Sequence, residues 1–225
     1  MARTARASVG NVCYHVLNRG NGGIKVFRKS ADYDAFIEML IQAGQRLPMR
    51  VLGFCLMPNH FHLLLWPYND GDLSGWMQWV MTVHVRRYHQ HYQSSGHVWQ
   101  GRFKAFPIQR NAYFYTALRY VERNALRAQL VDRAERWVWG SLYYRQNQDG
   151  RKSESLLSQP PIVLPQDWVE LVNKPMHQKE LDAFRLSINR NRPFGAETWQ
   201  SRIAKKLGLE AALNPRGRPK KEAKK

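Results

Sequence analysis

Cysteine is almost absent from the 225 residues: only Cys13 and Cys55 occur, each inside an apolar run. Two isolated thiols give neither a disulfide framework nor a zinc-binding spacing, so they read as small core residues in a reducing compartment. Acidic residues are scarce as well. The 17 Asp and Glu face 35 Lys and Arg, and the formal net charge of +18 goes far beyond what solubility requires. Such an excess argues for a polyanionic partner, of which nucleic acid is the commonest. An anionic membrane surface is the competing reading, but no apolar run approaches the length of a spanning helix. Residues 1–10 also lack the apolar core of a signal peptide, so the expectation is a cytoplasmic protein. Missing too are the Gly-rich nucleotide loops, a Gly-x-Ser-x-Gly elbow and a Cys nucleophile with an evident base. The usable chemistry therefore reduces to histidines, tyrosines on helices and cations.

Rings are plentiful for so basic a chain, with 8 Trp, 10 Tyr and 9 Phe. Most should fill the core, but basic groups interleaved with rings also suit unpaired bases, which need a surface to stack on. The stretch with most chemical content is Met57-Pro58-Asn59-His60-Phe61-His62-Leu63-Leu64-Leu65-Trp66-Pro67. It is too short and too apolar to be anything but a buried strand, and residues two apart on a strand share a face. His60 and His62 therefore point together and Phe61 points away. Two neutral imidazoles side by side make half of a divalent-metal site. Pro58 and Asn59 are turn formers, which puts the pair at the exposed end of its strand.

In chain order, residues 11–17 alternate as a half-buried strand, and Asn18 to Gly23 form a Gly-rich loop carrying Arg19. Ser30 is the expected cap of a helix ending near Gly44. Strands are expected over 49–57 and 60–66 as an antiparallel hairpin. An amphipathic helix over 73–92 and a fourth strand over 97–107, alternating rings with Arg102 and Lys104, complete the core. Strand, helix, strand, strand, helix, strand predicts an α+β fold: a ferredoxin-like antiparallel sheet with helices on one face. A further helix follows over 111–128, then a Ser-, Pro- and Gln-rich linker and two short helices over 180–189 and 197–207. The expected division is a catalytic domain over 1–149, a linker over 150–168, a helical C-terminal extension over 169–214 and a basic tail over 215–225.

Phosphoryl transfer by a tyrosine needs the inventory this chain has: a phenol to attack phosphorus, a divalent ion to polarise the phosphate and cations to hold the strand. Residues at i and i+4 share a helix face, so Tyr120 and Asn124 can present a nucleophile and an oxygen ligand to one metal with His60 and His62. Tyr88, on the other basic helix, is the rival nucleophile; the residue four beyond it is Tyr92, a poor ligand for a hard cation.

The stretches Met57-Pro58-Asn59-His60-Phe61-His62-Leu63-Leu64, Val98-Trp99-Gln100-Gly101-Arg102-Phe103-Lys104-Ala105 and Leu118-Arg119-Tyr120-Val121-Glu122-Arg123-Asn124-Ala125-Leu126-Arg127-Ala128, with Arg192-Pro193-Phe194-Gly195 and Gly217-Arg218-Pro219 near the end, resemble the REP-associated tyrosine transposases. These belong to the single-tyrosine HUH transposases. The resemblance implies a metal-dependent endonuclease and strand transferase that cuts and rejoins single-stranded DNA at hairpins formed by REP palindromes. It implies a 5′-phosphotyrosine at Tyr120, and Mg²⁺ or Mn²⁺ held by His60, His62 and Asn124. Ala125 stands where the family usually has Pro, a change that touches the helix end and not the chemistry. Arg19, Arg102, Lys104, Arg119, Arg123, Arg127, Arg218 and Lys220 are DNA-binding candidates by position. A protein of this kind works in the cytoplasm at the nucleoid, away from membranes, as a monomer or a homodimer. Two alternatives stay open: a non-cutting hairpin-binding protein, and a rolling-circle initiator or relaxase, which shares the histidine pair.

Overall fold

A computed structural model of the chain describes residues 8–147 and 156–214. The core runs β1 (Cys13–Arg19), α1 (Ser30–Arg46), β2 (Met49–Met57), β3 (His60–Pro67), α2 (Asp72–Tyr92) and β4 (Lys104–Ile108). The strands lie in the order β2-β3-β1-β4 with every neighbouring pair antiparallel. This is the expected ferredoxin-like sheet.

Period-two alternation along β3 decides what each face carries. Phe61, Leu63 and Leu65 are fully buried against α1 and α2, in a core with Phe36, Leu40, Trp76 and Val80. Each such side chain contributes roughly 1.5–3 kcal/mol by leaving water. Leu64 joins a second core on the opposite face, built with Phe114, Leu118 and Val121 of α3 (Ala112–Glu122). Gly53 of β2 makes that packing possible, because a Cβ there would sit 2.4 Å from Leu118 Cδ1. The helices expected on one face are thus α1 and α2, while the other face is closed by α3 and the C-terminal extension.

Beyond α3 the chain continues through α4 (Asn124–Arg127), α5 (Ser141–Gln146), α6 (Trp168–Asn173), α7 (Gln178–Arg190) and α8 (Glu197–Leu207). It also covers both edges of the sheet. Ser158 N donates to Val51 O at 2.8 Å on the β2 side, while Phe194 N donates to Pro107 O and Gln109 N to Phe194 O, both at 2.9 Å, on the β4 side. Unpaired edges invite association with other chains, and here backbone at Ser158 and Phe194 meets them. Gly195 lets the Arg192–Gly195 turn sit close, since a Cβ would meet Trp199 at 2.5 Å and Gln109 at 2.7 Å.

Several boundaries depart from the sequence reading. The fourth strand begins at Lys104 and not at 97, because Gly96 (φ 90°) and Gly101 (φ 148°) turn the chain where an extended run was expected. Residues 97–103 form a loop tied to the end of β1, with Asn21 N donating to Val98 O, Gln100 N to Arg19 O and a bridge between Gly20 and Trp99. Ser30 is the first residue of α1 and not its cap. The capping is done by Asp32, whose carboxylate accepts from the Arg28 and Lys29 amides and from the Tyr92 hydroxyl. The helix expected over 111–128 is broken at Arg123 into α3 and α4. The described part of the expected linker is packed: Leu156 is buried, and Ile162 and Leu164 lie against the second core. The tail over 215–225 lies outside the described residues.

Candidate active site

His60 and His62 open β3 and share the face covered by α3. Their ring centroids are 5.0 Å apart and nearly perpendicular. The two rings are oriented by different neighbours. Asn59 Oδ1 lies 2.7 Å from His60 Nδ1, and the Asn59 amide nitrogen in turn donates to Gly23 O. His62 Nδ1 lies 2.9 Å from Nε2 of His15, an imidazole on β1 that stacks on it at 5.0 Å. With both Nδ1 atoms so engaged, the Nε2 atoms are the ones that could hold a metal, and partners of this kind set ring orientation and tautomer in metal sites. For His62 that requires Nδ1 to carry the proton and donate to His15.

All three imidazoles are held neutral. Burial, helped by the Arg19 and Arg127 charges and opposed by a hydrogen bond to Asn124, pushes His60 down to about 4. Burial pushes His62 well below its ordinary value, with His15, His60 and Arg127 adding to it, and burial alone takes His15 to about 3. A neutral imidazole is the form that ligates.

The break at Arg123 brings the other two residues to the same place. Tyr120 lies in α3's last turn with its ring 5.7 Å from that of His62, edge to face. Asn124 opens α4, is 1% exposed and hydrogen-bonds His60. The exposed Arg127 lies over the Tyr120 ring at 4.8 Å and reaches Asn124 Oδ1 at 3.4 Å. His60, His62, Tyr120 and Asn124, far apart in sequence, thus form one cluster. Among the described residues no group of three His, Cys, Asp or Glu could hold a metal. The donor set here is instead two imidazoles and a carboxamide. That set is neutral, with the Nδ1 atoms engaged by Asn59 and His15 and the His60 ring already beside Asn124, so it fits a divalent ion.

Tyr88 is placed elsewhere. It packs in the core on the far side of the sheet, where its hydroxyl accepts from Arg28 at 2.7 Å. Of the basic candidates, Arg19 is exposed at the end of β1 directly opposite His60, Lys104 is exposed at the start of β4, and Arg102 is exposed in the adjoining loop. Arg119 and Arg123 are given another job. Arg119 donates to the Lys174 and Pro175 carbonyls and Arg123 to those of Val172 and Asn173, so both cap the C-terminal end of α6, where cations are favoured. Arg218 and Lys220 lie outside the described residues.

Three residues of the site were not singled out from sequence. His15 is one histidine in an apolar strand, and only strand pairing brings it to His62. Phe184 of α7 is fully buried 4.6 Å from the Tyr120 ring and 5.3 Å from His15, so the extension forms a wall of the site. Glu122 sits in the same helix turn as Tyr120 and is 2% exposed. Its carboxylate accepts from Ser141 (2.7 Å), Arg145 (2.9 Å) and Trp168 (2.7 Å), tying α3 to α5 and α6.

Comparison with known proteins covers both sequence and fold. A sequence model of the IS200-like transposases matches residues 8–124, which holds every strand, Tyr120 and Asn124. No curated protein matches at a significant level. Among solved structures, a REP-associated tyrosine transposase bound to a REP hairpin superposes with a TM-score of 0.53 at 16% identity, covering 67% of this chain and 87% of its own. A putative transposase from Deinococcus radiodurans superposes with a TM-score of 0.39, also at 16% identity, covering 57% of this chain and 92% of its own.

Proposed function

The chain belongs to the IS200-like transposase family, and on that premise we propose that it is a metal-dependent endonuclease and strand transferase for single-stranded DNA of the REP-associated kind, with Tyr120 as nucleophile. The observation that carries this is the convergence of His60, His62, Tyr120 and Asn124, with the His62 and Tyr120 rings 5.7 Å apart.

In this reading the Tyr120 oxygen attacks the scissile phosphorus and the bond to the 3′ oxygen breaks. The product is a 5′-phosphotyrosine and a free 3′ hydroxyl, and the reverse attack by a 3′ hydroxyl rejoins the strand and frees the phenol. Mg²⁺ or Mn²⁺ bound by His60, His62 and Asn124 would supply Lewis-acid polarisation of the phosphate oxygens. Asn59 and His15 keep the imidazole rings turned with Nε2 outward. Arg127, over the tyrosine ring, adds positive charge where negative charge gathers on the attacking oxygen and the phosphorane. Arg19, Arg102 and Lys104 hold the strand through its phosphates. The hairpin as substrate agrees with the REP hairpin in the superposed transposase. Among the described residues no helix is long and apolar enough to cross a membrane, and the working place we assign is the cytoplasm at the nucleoid.

One observation favours the non-cutting alternative: Tyr120 is only 5% exposed and lies under Phe184. Incubating the protein with labelled single-stranded hairpins and Mn²⁺, then seeking a complex that survives denaturation, separates the two. A covalent adduct supports the enzyme. Binding without any adduct, in the wild type and in Phe184→Ala alike, supports the binding module.

A further inference from the structure

At the end of the sheet remote from His60 and His62, the Trp66 ring carries two guanidiniums. Arg50, its register partner on β2, lies 3.9 Å from the Trp66 ring and 3.8 Å from that of Tyr68, and Arg110, just beyond β4, lies 4.6 Å from the Trp66 ring. Trp66 and Arg50 are half-buried while Tyr68 and Arg110 are exposed, so the stack opens to solvent. Among the described residues no acid answers these two charges. The ion pairs there are made by Arg133, Arg136 and Arg145, and neither Arg50 nor Arg110 hydrogen-bonds a described residue. Stacking on rings fixes the plane of a guanidinium and spares its N–H fork. Two like charges on one ring also repel each other, a repulsion that a bound anion relieves.

Place and chemistry say which anion fits. Residues two apart on β3 share a face, so Trp66 stands on the face of His60 and His62, six residues and roughly 20 Å beyond His60 at 3.3 Å per residue. That length matches about six base pairs of duplex at 3.4 Å per step. A planar fork meets a phosphate bidentately, and the net charge of +18 draws polyanions to the whole surface. We propose that Arg50 and Arg110, held on Trp66 and Tyr68, form a second phosphate site for nucleic-acid backbone, apart from the cations beside the histidine pair. The site rests on the nucleic-acid reading above but not on cutting. Its phosphates come from the stem of the bound hairpin or from a separate duplex, and the chemistry of recognition is the same for both.

The test measures affinity of the full chain at several salt concentrations, in chelator so that nothing is cut. One arm titrates a fluorescent hairpin whose stem is about twice that six-pair length; the other titrates a fluorescent linear duplex onto protein already saturated with an unlabelled hairpin of about three base pairs. In Arg50→Gln with Arg110→Gln the log-log salt slope should flatten by about 1.8, at roughly 0.9 per duplex phosphate contact. Flattening in the first arm assigns the phosphates to the hairpin's own stem. Flattening in the second arm alone assigns them to a separate duplex. Arg110→Gln by itself, on an exposed side chain, should flatten the slope by about 0.9, which keeps the question open to test if the double variant folds poorly. An unchanged slope in both arms would overturn the proposal. So would an equal flattening with a single strand that has no stem, which would place the arginines on the strand at the histidine pair. No readout requires an adduct at Tyr120, so failure of cutting and failure of this site are separately visible.

Discussion

Removing the Glu122 carboxylate should unsettle the whole C-terminal covering of the sheet. The side chain is fully buried and accepts three hydrogen bonds, and its ion-pair partner Arg145 is only 14% exposed. Glu122→Ala leaves a nearly buried guanidinium without its counter-charge, and breaking a buried pair from one side costs about 3–5 kcal/mol. Arg145 would keep its hydrogen bond to the Leu52 carbonyl, which places the expected loss toward the lower end. At a urea slope of about 2 kcal/mol per molar, a loss at that lower end should drop the unfolding midpoint by roughly 1.5–2 M. Arg145→Ala on the Glu122→Ala background should then cost much less than Arg145→Ala alone, because the charge it removes is already unpaired. Equilibrium unfolding of the four proteins of this cycle measures both quantities. A loss below about 1 kcal/mol, or losses that simply add, would refute the view that this buried pair fastens α3 to α5 and α6.

Phe184→Ala should cost about 3–5 kcal/mol in the same assay, since the ring is fully buried against His15, Phe106, Tyr120 and Phe194; a loss under about 1 kcal/mol would contradict its place as a wall of the site. Chelating divalent metal should stop cutting while leaving hairpin affinity nearly unchanged, and cutting that persists in chelator would remove the metal from the account. Affinity for the hairpin should fall with salt, with a log-log slope of roughly −0.7 per single-strand contact and −0.9 per duplex contact. Deleting residues 215–225 should flatten that slope, and an unchanged slope would make the tail a bystander.

Much of the fold was legible because its signals are local. Alternation along 60–66 placed His60 and His62 on one face, and their motif put them at a strand end beside a turn. The run of strand and helix patterns sufficed for the sheet, and the periodicity of 180–189 and 197–207 found α7 and α8 to within two residues. What stayed hidden depends on long-range pairing. His15 meets His62 only because β1 lies against β3, a partnership no spacing encodes. Residues 97–107 read as a strand because rings and cations alternate there, but positive φ at Gly96 and Gly101 overrides that pattern and makes half of it a loop. Arg119 and Arg123 bond carbonyls at the C-terminal end of α6, contacts across some fifty residues that no helix spacing encodes. The Ser, Pro and Gln content of 150–168 suggested a free linker, yet Ser158 completes a sheet edge and Leu156 fills a core, because an exposed edge strand draws backbone to it whatever its composition.

The central claim is that Tyr120 joins the DNA. The direct measurement is to trap the product of a labelled hairpin with Mn²⁺, digest the protein and locate the modified peptide by mass spectrometry. The account predicts a 5′-phosphate ester on Tyr120 alone, and its loss in Tyr120→Phe with hairpin affinity retained, because that change removes one oxygen and keeps the packed ring. DNA on Tyr88, or on any residue other than Tyr120, would contradict it.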